Sequence, residues 1–291
     1  MHWKAHRVHC KSPLREESWQ PRWAIENRQP TWLVVDDKEA DDIRKATADK
    51  YLWGNMSALD VLQLGSNEGE TFSEDIKLLL AGQYADPAFQ MLSTHTKTAS
   101  GDARNVVKTI ADLPRTYNGT LSITINDHDP HIVARNIIIC ILAASVEDAA
   151  DASESIIHIW YSALIRQADL DLLTTHVLPL VQEVCSKIKD KSSASLHSKK
   201  WKLKNCSLRL VMSKMAWELL LSCLTVRPGL TLQQAQALRL AVTNGHNHRD
   251  DRDRVAVRQS PAHRVSKQKH NEDGLILPFG HSREAFIIPN P

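Results

Sequence analysis

The sequence predicts an α/β fold, and three neighbouring features lead to that prediction. Residues 76–81 form a short, nearly continuous apolar run, as expected of a buried strand. Gly101 opens a helical stretch, and residues 121–126 form a second strand-like run that ends in Asp127. A glycine that opens a helix, followed by a strand ending in acid, is typical of half a nucleotide-binding sheet. We therefore expect a small Rossmann-like (methyltransferase-like) parallel sheet with a mainly helical C-terminal extension.

The elements of this central unit follow from local patterns. In order, they are a strand at 76–81, a helix at 101–111, a turn at 118–119, a strand at 121–126 and a helix at 130–145. The continuous apolar run of the first strand indicates burial on both faces. The second strand alternates β-branched and polar residues. Pro130 suits the first turn of the last helix.

Less regular segments precede this unit. We expect a short strand at 32–35, a polar helix at 41–50 and a helix within 53–62. In the last of these, Leu59 and Leu62 form an apolar face, and Asn55 or Ser57 is the cap. Residues 19–32 are rich in tryptophan and proline, which predicts an extended linker whose rings cap the core or dock a partner.

The C-terminal half reads as a series of amphipathic helices. They are expected at 155–166, 169–189, 208–224 and 231–242, the last opened by a threonine cap. Residues 285–288 look like a strand whose partner is missing. The mixed charges of 249–254 suggest a surface ion-pair stretch of little energetic weight.

A run of lysines lies between these helices, within residues 187–204. Such a run fits either a nucleic-acid patch or a solvated loop. Trp201 is the one aromatic residue inside it. Proteins that bind single-stranded nucleic acids stack the bases on aromatic side chains placed among the basic ones. Because this run has one such side chain, the solvated loop is favoured.

Composition limits the function classes. Thirty-six Lys plus Arg against thirty-four Asp plus Glu give a net charge of +2, which argues against nucleic-acid binding through the overall field. The longest apolar run, 137–146, is too short to span a bilayer, and the basic N-terminus is not a secretory signal. Five scattered cysteines give no disulfide framework. We expect a cytoplasmic protein, with the nucleus as an alternative, without a membrane partner.

The most specific chemical hypothesis for this sequence is a binding site for S-adenosylmethionine at the carboxyl ends of the two predicted strands. Gly101 and Asp102 would lie beneath the cofactor, and Asp127 or Asp129 would bind its ribose hydroxyls. The alternative for residues 127–129 is a helix cap with solvated acids, which stabilise the helix N-terminus electrostatically. The Gly-x-Gly pattern is reduced to one glycine, and no catalytic residue is identified.

Other candidate ligands are weaker. Asp127, His128 and Asp129 alternate faces on an extended chain, so they converge poorly on a metal. The pair formed by His246 and His248 is read as part of a polar loop. Cys140 on an apolar helix is expected to be a core residue and not a nucleophile.

His6 and Cys10 stand four residues apart, so on a helix they would face the same way and could bind one zinc ion. The segment Met-His-Trp-Lys-Ala-His-Arg-Val-His-Cys-Lys resembles the last helix of a MYND-type zinc finger. The other ligands of that finger would lie upstream, so we read these two as remnant ligands without metal. The chain looks like a fragment.

A broader resemblance rests on motifs along most of the chain. They are Trp53-Gly-Asn, Ala58-Leu-Asp-Val-Leu, Ser100-Gly-Asp-Ala-Arg-Asn, Ile125-Asn-Asp-His-Asp, Val133-Ala-Arg-Asn, Ser260-Pro-Ala-His-Arg and Asp273-Gly-Leu-Ile-Leu-Pro-Phe-Gly. Together they are similar to a domain of unknown function (the 4470 type) of fungal MYND-finger proteins. That domain is related to the N-terminal domain of axonemal dynein assembly factor three. The resemblance implies a protein-interaction role and no particular activity.

One segment departs from the pattern of that family. Residues 82–99 separate the first strand from its helix, whereas in relatives the strand leads almost directly into the Ser/Cys-Gly-Asp turn. A long loop without period is uncommon in a compact domain. An unremoved intron in the gene model and a true loop are both consistent with it.

These observations divide the chain and give it a provisional function. We expect a truncated finger at 1–18, a linker and helix at 19–50, a Rossmann-like domain at 51–150 and a helical extension with a short C-terminal strand at 151–291. The preferred function is a non-enzymatic interaction or assembly-factor-like protein with unidentified protein partners. An S-adenosylmethionine-dependent methyltransferase is the alternative. Nucleic-acid binding, a third class, rests on the lysine run alone.

Overall fold

The structure is a computed structural model that describes residues 11–30, 57–81, 101–127, 129–243, 246–278 and 280–291. It falls into two compact units. The sheet unit comprises the described residues within 50–152 and 173–224, and the terminal unit comprises those within 1–49, 153–172 and 225–291. The predicted short strand at 32–35, the helix at 41–50 and the segment at 82–99 lie outside the described residues.

The described elements follow one another along the chain. The helices are α1 (Arg22–Ile25), α2 (Leu64–Asn67), α3 (Arg104–Ala111), α4 (Pro130–Ser145), α5 (Ala149–Tyr161), α6 (Gln167–Leu172), α7 (Leu178–Ile188), α8 (Lys214–Ser222), α9 (Leu232–Thr243), α10 (His246–Val257) and α11 (Pro261–Asp273). The strands are β1 (Ile76–Ala81), β2 (Leu121–Asn126), β3 (Leu164–Ile165), β4 (Leu196–Leu203), β5 (Cys206–Ser213) and β6 (Ile288–Pro289). A 3₁₀ turn spans Pro13–Arg15, and a π-helical segment spans Leu173–Val177.

The parallel pair predicted from the sequence is confirmed with its bounds. β1 and β2 run parallel, in register from Ile76 opposite Leu121 to Ala81 opposite Asn126. The connecting helix α3 begins at 104, three residues later than expected, because Asp102 and Ala103 form its entry turn. The mixture of helices and strands and this parallel pair are established. Within the described residues, the parallel sheet has two strands.

One face of this sheet is exposed, contrary to the expectation that β1 is buried on both faces. Lys77 and Leu79 are exposed, as are Ser122 and Thr124 beside them on β2. The continuous leucine run predicted burial of both faces. The register, however, places Leu79 opposite Thr124, on the sheet face where β2 carries its polar side chains.

The first residues of both strands are joined through a close backbone contact at Gly119. Thr120 donates from its amide to Asp75 Oδ1 at 2.7 Å, and Ile76 donates to the carbonyl of Thr120 at 2.9 Å. A Cβ on Gly119 would lie 2.6 Å from the carbonyl oxygens of Ser73 and Glu74. The predicted turn is a bend at this glycine, and its lack of a side chain lets the two strands begin side by side.

The predicted helix within 53–62 is wrong over its described part. Residues 57–62 are irregular, and their amides bond to side chains of α3. Leu59 donates to Asn105 Oδ1 and Val61 to Thr109 Oγ1, both at 3.0 Å. These two acceptors satisfy an extended backbone that would otherwise need helical partners.

The core of the sheet unit is built around α4, whose bounds match the prediction. Eight of its residues are buried, and it packs on the π-helical segment, on α8 and on β4. Trp201 and Trp217 meet edge to face at 5.9 Å between ring centroids. The π-helical segment precedes Pro179 in the first turn of α7, where a proline removes a backbone donor and clashes with the preceding turn.

Two C-terminal predictions are corrected by a β-hairpin. β4 and β5 pair antiparallel from Leu196 opposite Ser213 to Leu203 opposite Cys206. The C-terminal part of the lysine run, 196–203, is therefore a strand, and the expected helix at 208–224 is a strand followed by α8. A short apolar run does not distinguish strand from helix by its period, which explains the second error.

The terminal unit carries further corrections. The helix expected at 155–166 ends at Tyr161, and β3 follows. β3 pairs antiparallel with β6, so the C-terminal strand has its partner. His246 and His248 lie in α10 and not in a loop, since neither glycine nor proline interrupts that segment. The threonine cap of α9 is confirmed, because Thr231 Oγ1 accepts from the amide of Gln234 at 3.2 Å.

Residues 11–30, which include the described part of the tryptophan- and proline-rich segment, contact the C-terminal helices α10 and α11. Arg264 of α11 is buried and donates to the carbonyls of Leu14 and Glu16, while its guanidinium lies 5.3 Å from the Trp19 ring centroid. Arg28 forms a two-pronged pair with Asp250 of α10 at 2.7 and 2.8 Å. Asp250 is buried, so the expected weak surface ion-pair stretch contains a strong tertiary contact.

A second buried ion pair joins α5 to α6. Asp169 is fully buried and accepts from Ser155 Oγ at 2.7 Å and from the Arg166 guanidinium at 2.7 and 3.1 Å. Burial raises the pKa of Asp169, but the hydrogen bonds from Arg166 and Ser155 outweigh it and hold that pKa below its ordinary value. The carboxylate therefore stays ionised inside the unit.

We predict that Gly119→Ala lowers the free energy of unfolding by about 1–3 kcal/mol, because the new Cβ must displace two backbone carbonyls. Gly65→Ala is the matched control. Gly65 lies in α2, and a Cβ there would meet only the Pro114 ring, at 3.8 Å. The free energy of unfolding of Gly65→Ala should therefore stay within about 0.5 kcal/mol of that of the native chain. Urea denaturation followed by circular dichroism measures both. Equal stabilities would contradict the close contact at Gly119.

We also predict a pH dependence centred on His158. Burial lowers the pKa of His158 from its ordinary 6.5, despite the nearby Asp169 and Glu154 carboxylates. The folded chain keeps this ring neutral while the unfolded chain protonates it, so stability should fall as pH drops below about 6.5. His158→Gln should flatten this decline between about pH 7 and 5.5, whereas His263→Gln, on the exposed side of α11, should not. Thermal melts across this range test it, and identical slopes in all three proteins would refute it.

Candidate functional site

The strand-end loop, formed by residues 101–102, 127 and 129, is the candidate site. Parallel strands bring their carboxyl ends to one edge, and ligands of α/β sheets bind there. Ala81 and Asn126 end β1 and β2 side by side. Asp127 follows β2 directly, and Gly101 lies just before α3, so the fold brings residues far apart in sequence to one edge.

Gly101 and Asp127 are in direct contact. The amide of Gly101 donates to Asp127 Oδ2 at 3.1 Å. Gly101 has a φ of +52°, in the left-handed region that glycine adopts without strain. The two residues that the cofactor hypothesis assigns to one ligand are therefore neighbours, and they contact each other directly.

The second oxygen of Asp127 binds the start of the next helix. Asp127 Oδ1 accepts from the amide of Asp129 at 3.0 Å. Asp129 in turn caps α4, because its Oδ1 accepts from the amide of His131 at 2.8 Å. Carboxylates at a helix N-terminus are stabilised by the unpaired amides and by the helix dipole. Asp129 is therefore the N-cap of α4.

Asp102 forms a separate pair beside the loop. It is buried, and its Oδ1 accepts from the amide of Arg104 at 3.2 Å and from Arg104 Nε at 2.7 Å. The pair fixes the first turn of α3 and balances the buried charge.

Asn136 belongs to this loop, and sequence reasoning did not select it. Its Nδ2 donates to the carbonyl of Gly101 at 2.8 Å, so the Gly101 peptide is held from β2 and from α4. Asn136 is buried, and its Oδ1 has no hydrogen-bond partner within the described chain. An amide inside the otherwise apolar stretch of α4 was the signal that could have identified it.

The chemistry available at this loop is mainly structural. The carboxylates of Asp102, Asp127 and Asp129 accept from backbone amides, and the described residues of the loop include no nucleophile paired with a base. Cys140 on α4 is a weak nucleophile, because burial and the nearby Cys206 raise the pKa of its thiol to about 11. It is one of four described cysteines, and all four are free thiols.

Metal and membrane sites were also considered. Among the described residues, no group of three or more histidine, cysteine, aspartate or glutamate side chains is placed to hold a metal ion. His6, Cys10 and His128 lie outside the described residues, so the zinc reading of the first two stays a prediction. No helix in the described ranges has the length and apolar character needed to cross a bilayer.

A cleft of about 400 Å³ lies elsewhere on the sheet unit. Residues 58–66 line one side, and Lys108 and Asp112 of α3 line the other. None of the four predicted cofactor residues lines this cleft.

Comparison with known proteins finds a domain match over part of the chain. Residues 52–165 match the model of a domain of unknown function (DUF4470). The match contains both parallel strands and the whole strand-end loop. No curated protein and no solved structure matches the chain. The resemblance to the 4470-type domain is therefore confirmed over this stretch.

We predict that Asp127 stabilises the fold without any ligand. Asp127→Ala removes both backbone contacts and should lower the free energy of unfolding by about 2 kcal/mol. Asp127→Asn keeps one acceptor oxygen and should lose about half of that. Glu68→Ala, an exposed acid in the same unit, is the control and should be neutral. Chemical denaturation ranks the three variants. A neutral Asp127→Ala would mean that its two hydrogen bonds contribute nothing.

Proposed function

We propose that this chain is a non-enzymatic protein-interaction protein, of the assembly-factor type, built on a degenerate Rossmann-like domain. The supporting observation is the internal bonding of the strand-end loop. One carboxylate oxygen of Asp127 accepts from the amide of Gly101 and the other from the amide of Asp129, and Asp129 caps α4. In a working dinucleotide-type site, such acids bind ribose hydroxyls.

The Rossmann-like part of the proposal rests on connectivity. A strand, a helix and a parallel neighbouring strand form the β1–α3–β2 unit, and Gly101 precedes the helix. Degeneracy is supported by the single glycine and by the exposed face of the sheet.

An interaction role is supported by exposed apolar side chains on the same unit. Leu79 on β1 is 65% exposed, and Val107 and Ile110 on α3 are 47% and 52% exposed. The last two are three residues apart, so they share one helix face. Exposed apolar side chains that share a helix face, as Val107 and Ile110 do, can bury against a partner protein. The resemblance to a dynein assembly factor domain points the same way, and it leaves the client open.

An S-adenosylmethionine-dependent methyltransferase is the second candidate. It is favoured by the position of Gly101 and Asp127 at the strand ends and by the buried, unpartnered Oδ1 of Asn136. Gly101 and Asp102 would lie beneath the cofactor, with Asp127 and Asp129 facing its ribose. The cofactor would supply an electrophilic methyl group. Each Asp127 oxygen already accepts one backbone amide, so a ribose hydroxyl would have to share an oxygen with that amide.

Metal and location complete the proposal. Zinc enters only through the MYND-like spacing of His6 and Cys10, and a structural zinc site takes four ligands. We place the protein in the cytoplasm, or alternatively the nucleus, and propose neither a membrane nor a nucleic acid as its partner.

Calorimetric titration with S-adenosylmethionine and S-adenosylhomocysteine separates the two candidates. We expect no saturable heat from the native chain. Saturable heat that is lost in Asp127→Asn, with the fold intact by circular dichroism, would establish the cofactor site. Affinity purification of the tagged chain tests the interaction role, which fails if no protein is recovered reproducibly.

A further inference from the structure

The β4–β5 hairpin has one face packed inward and one face exposed. Trp201 and Leu210 point into the sheet unit and are buried. Lys199 lies on the inner face as well, and its Nζ lies 3.2 Å from Glu183 Oε1 on α7. The outer face, which we call the hairpin face, is formed by Leu196, Ser198, Lys200, Lys202, Ser207, Arg209 and Val211.

One end of the hairpin face is basic, with like charges opposed. Lys200 lies directly opposite Arg209, and Lys202 follows two residues later. Like charges across a strand pair destabilise a sheet. Arg209 Nε bonds only the hydroxyl of Ser198, at 3.3 Å, and none of the three cations forms an ion pair within the described chain. Their positive charge is therefore uncompensated.

The other end of the hairpin face is apolar. Leu196 and Val211 are 73% and 56% exposed, and they lie at neighbouring register positions. Met215, just beyond β5, is 66% exposed. The hairpin face has cations at one end and aliphatic groups at the other. A complementary segment would carry acidic side chains at one end and apolar side chains at the other.

We infer, on the premise of the interaction function proposed above, that the hairpin face binds an extended protein segment with an acidic end and an apolar end. The acidic end would pair with Lys200, Lys202 and Arg209, and the apolar end would cover Leu196 and Val211. Side chains two residues apart on an extended segment repeat at roughly 7 Å, the interval between Lys200 and Lys202.

A nucleic acid fits this face less well. A phosphate backbone would engage the basic end, but it would leave Leu196 and Val211 exposed to water. No aromatic side chain of the hairpin lies on the outer face for bases to stack on, since Trp201 points inward. The division of the face into basic and apolar ends therefore favours a protein segment.

Fluorescence anisotropy with the full chain and two labelled probes tests this inference. One probe is a synthetic peptide with a block of glutamates followed by a block of leucines, and the other is a short DNA duplex. The double variant Lys200→Glu with Arg209→Glu reverses the basic end, and Leu196→Ser with Val211→Ser removes the apolar end. Lys77→Glu with Lys191→Glu makes an equal charge change outside the hairpin face.

We expect the peptide to bind the native chain more tightly than the duplex does. Each hairpin double variant should bind the peptide on the order of tenfold more weakly, and the control pair should bind within about twofold of the native chain. Unchanged binding in the Lys200 and Arg209 variant, tighter binding of the duplex, or no peptide binding by the native chain would each overturn the inference.

A stability measurement separates a functional charge pair from a merely structural one. Lys200→Glu alone places opposite charges across the strands, so its thermal midpoint should rise by about 1–3 °C while peptide binding weakens. A lower midpoint would mean that the lysine serves the hairpin itself.

Affinity purification distinguishes failure of this inference from failure of the proposed function. Partners recovered equally by the native chain and by the Lys200 and Arg209 variant would leave the interaction function standing and reject this surface. Recovery of no partner by either chain would reject the function itself.

Discussion

The carboxylate of Asp127 is the constraint on which the sheet unit depends. Two parallel strands end side by side, and a chain segment must leave each of them towards a helix. Asp127 closes this edge by accepting one amide from the segment that enters α3 and one from the segment that enters α4. Asn136 adds a third link by holding the carbonyl of Gly101. The same three contacts set where the chain enters α3 and α4.

Much of this central unit could be predicted because its signals are local. The alternation in β2 and the apolar run in β1 gave both strands with their bounds, and the proline after Asp129 gave the start of α4. The burial of β1 could not be predicted, since it depends on which face of β2 is polar. The segment at 57–62 was misread because leucines three apart suggest a helix, while Asn105 and Thr109 supply acceptors that only the tertiary structure reveals.

The hairpin and the terminal unit were harder to anticipate for a different reason. Lysines dominate β4, so its period of two was hidden by high polarity, and Trp201 alone marked the inner face. Asp250 lies in a stretch of mixed charge that reads as solvated surface, yet Arg28, more than two hundred residues earlier, buries it. At the candidate site the nearness of Gly101 to Asp127 was predictable from the sheet rule. The hydrogen bonds from backbone amides to Asp127 could not be predicted, because they depend on distances of a few tenths of an ångström.

The strand-end loop is closed by its own hydrogen bonds, and we propose that partners bind exposed surfaces of the same unit. Residue-resolved amide hydrogen exchange by NMR, on the native chain without any added cofactor, tests this most directly. If Asp127 holds the loop, the amides of Gly101 and Asp129 exchange far more slowly than in an unfolded peptide. Exchange of both amides at the unfolded rate, with slowing only after S-adenosylmethionine is added, would contradict the account.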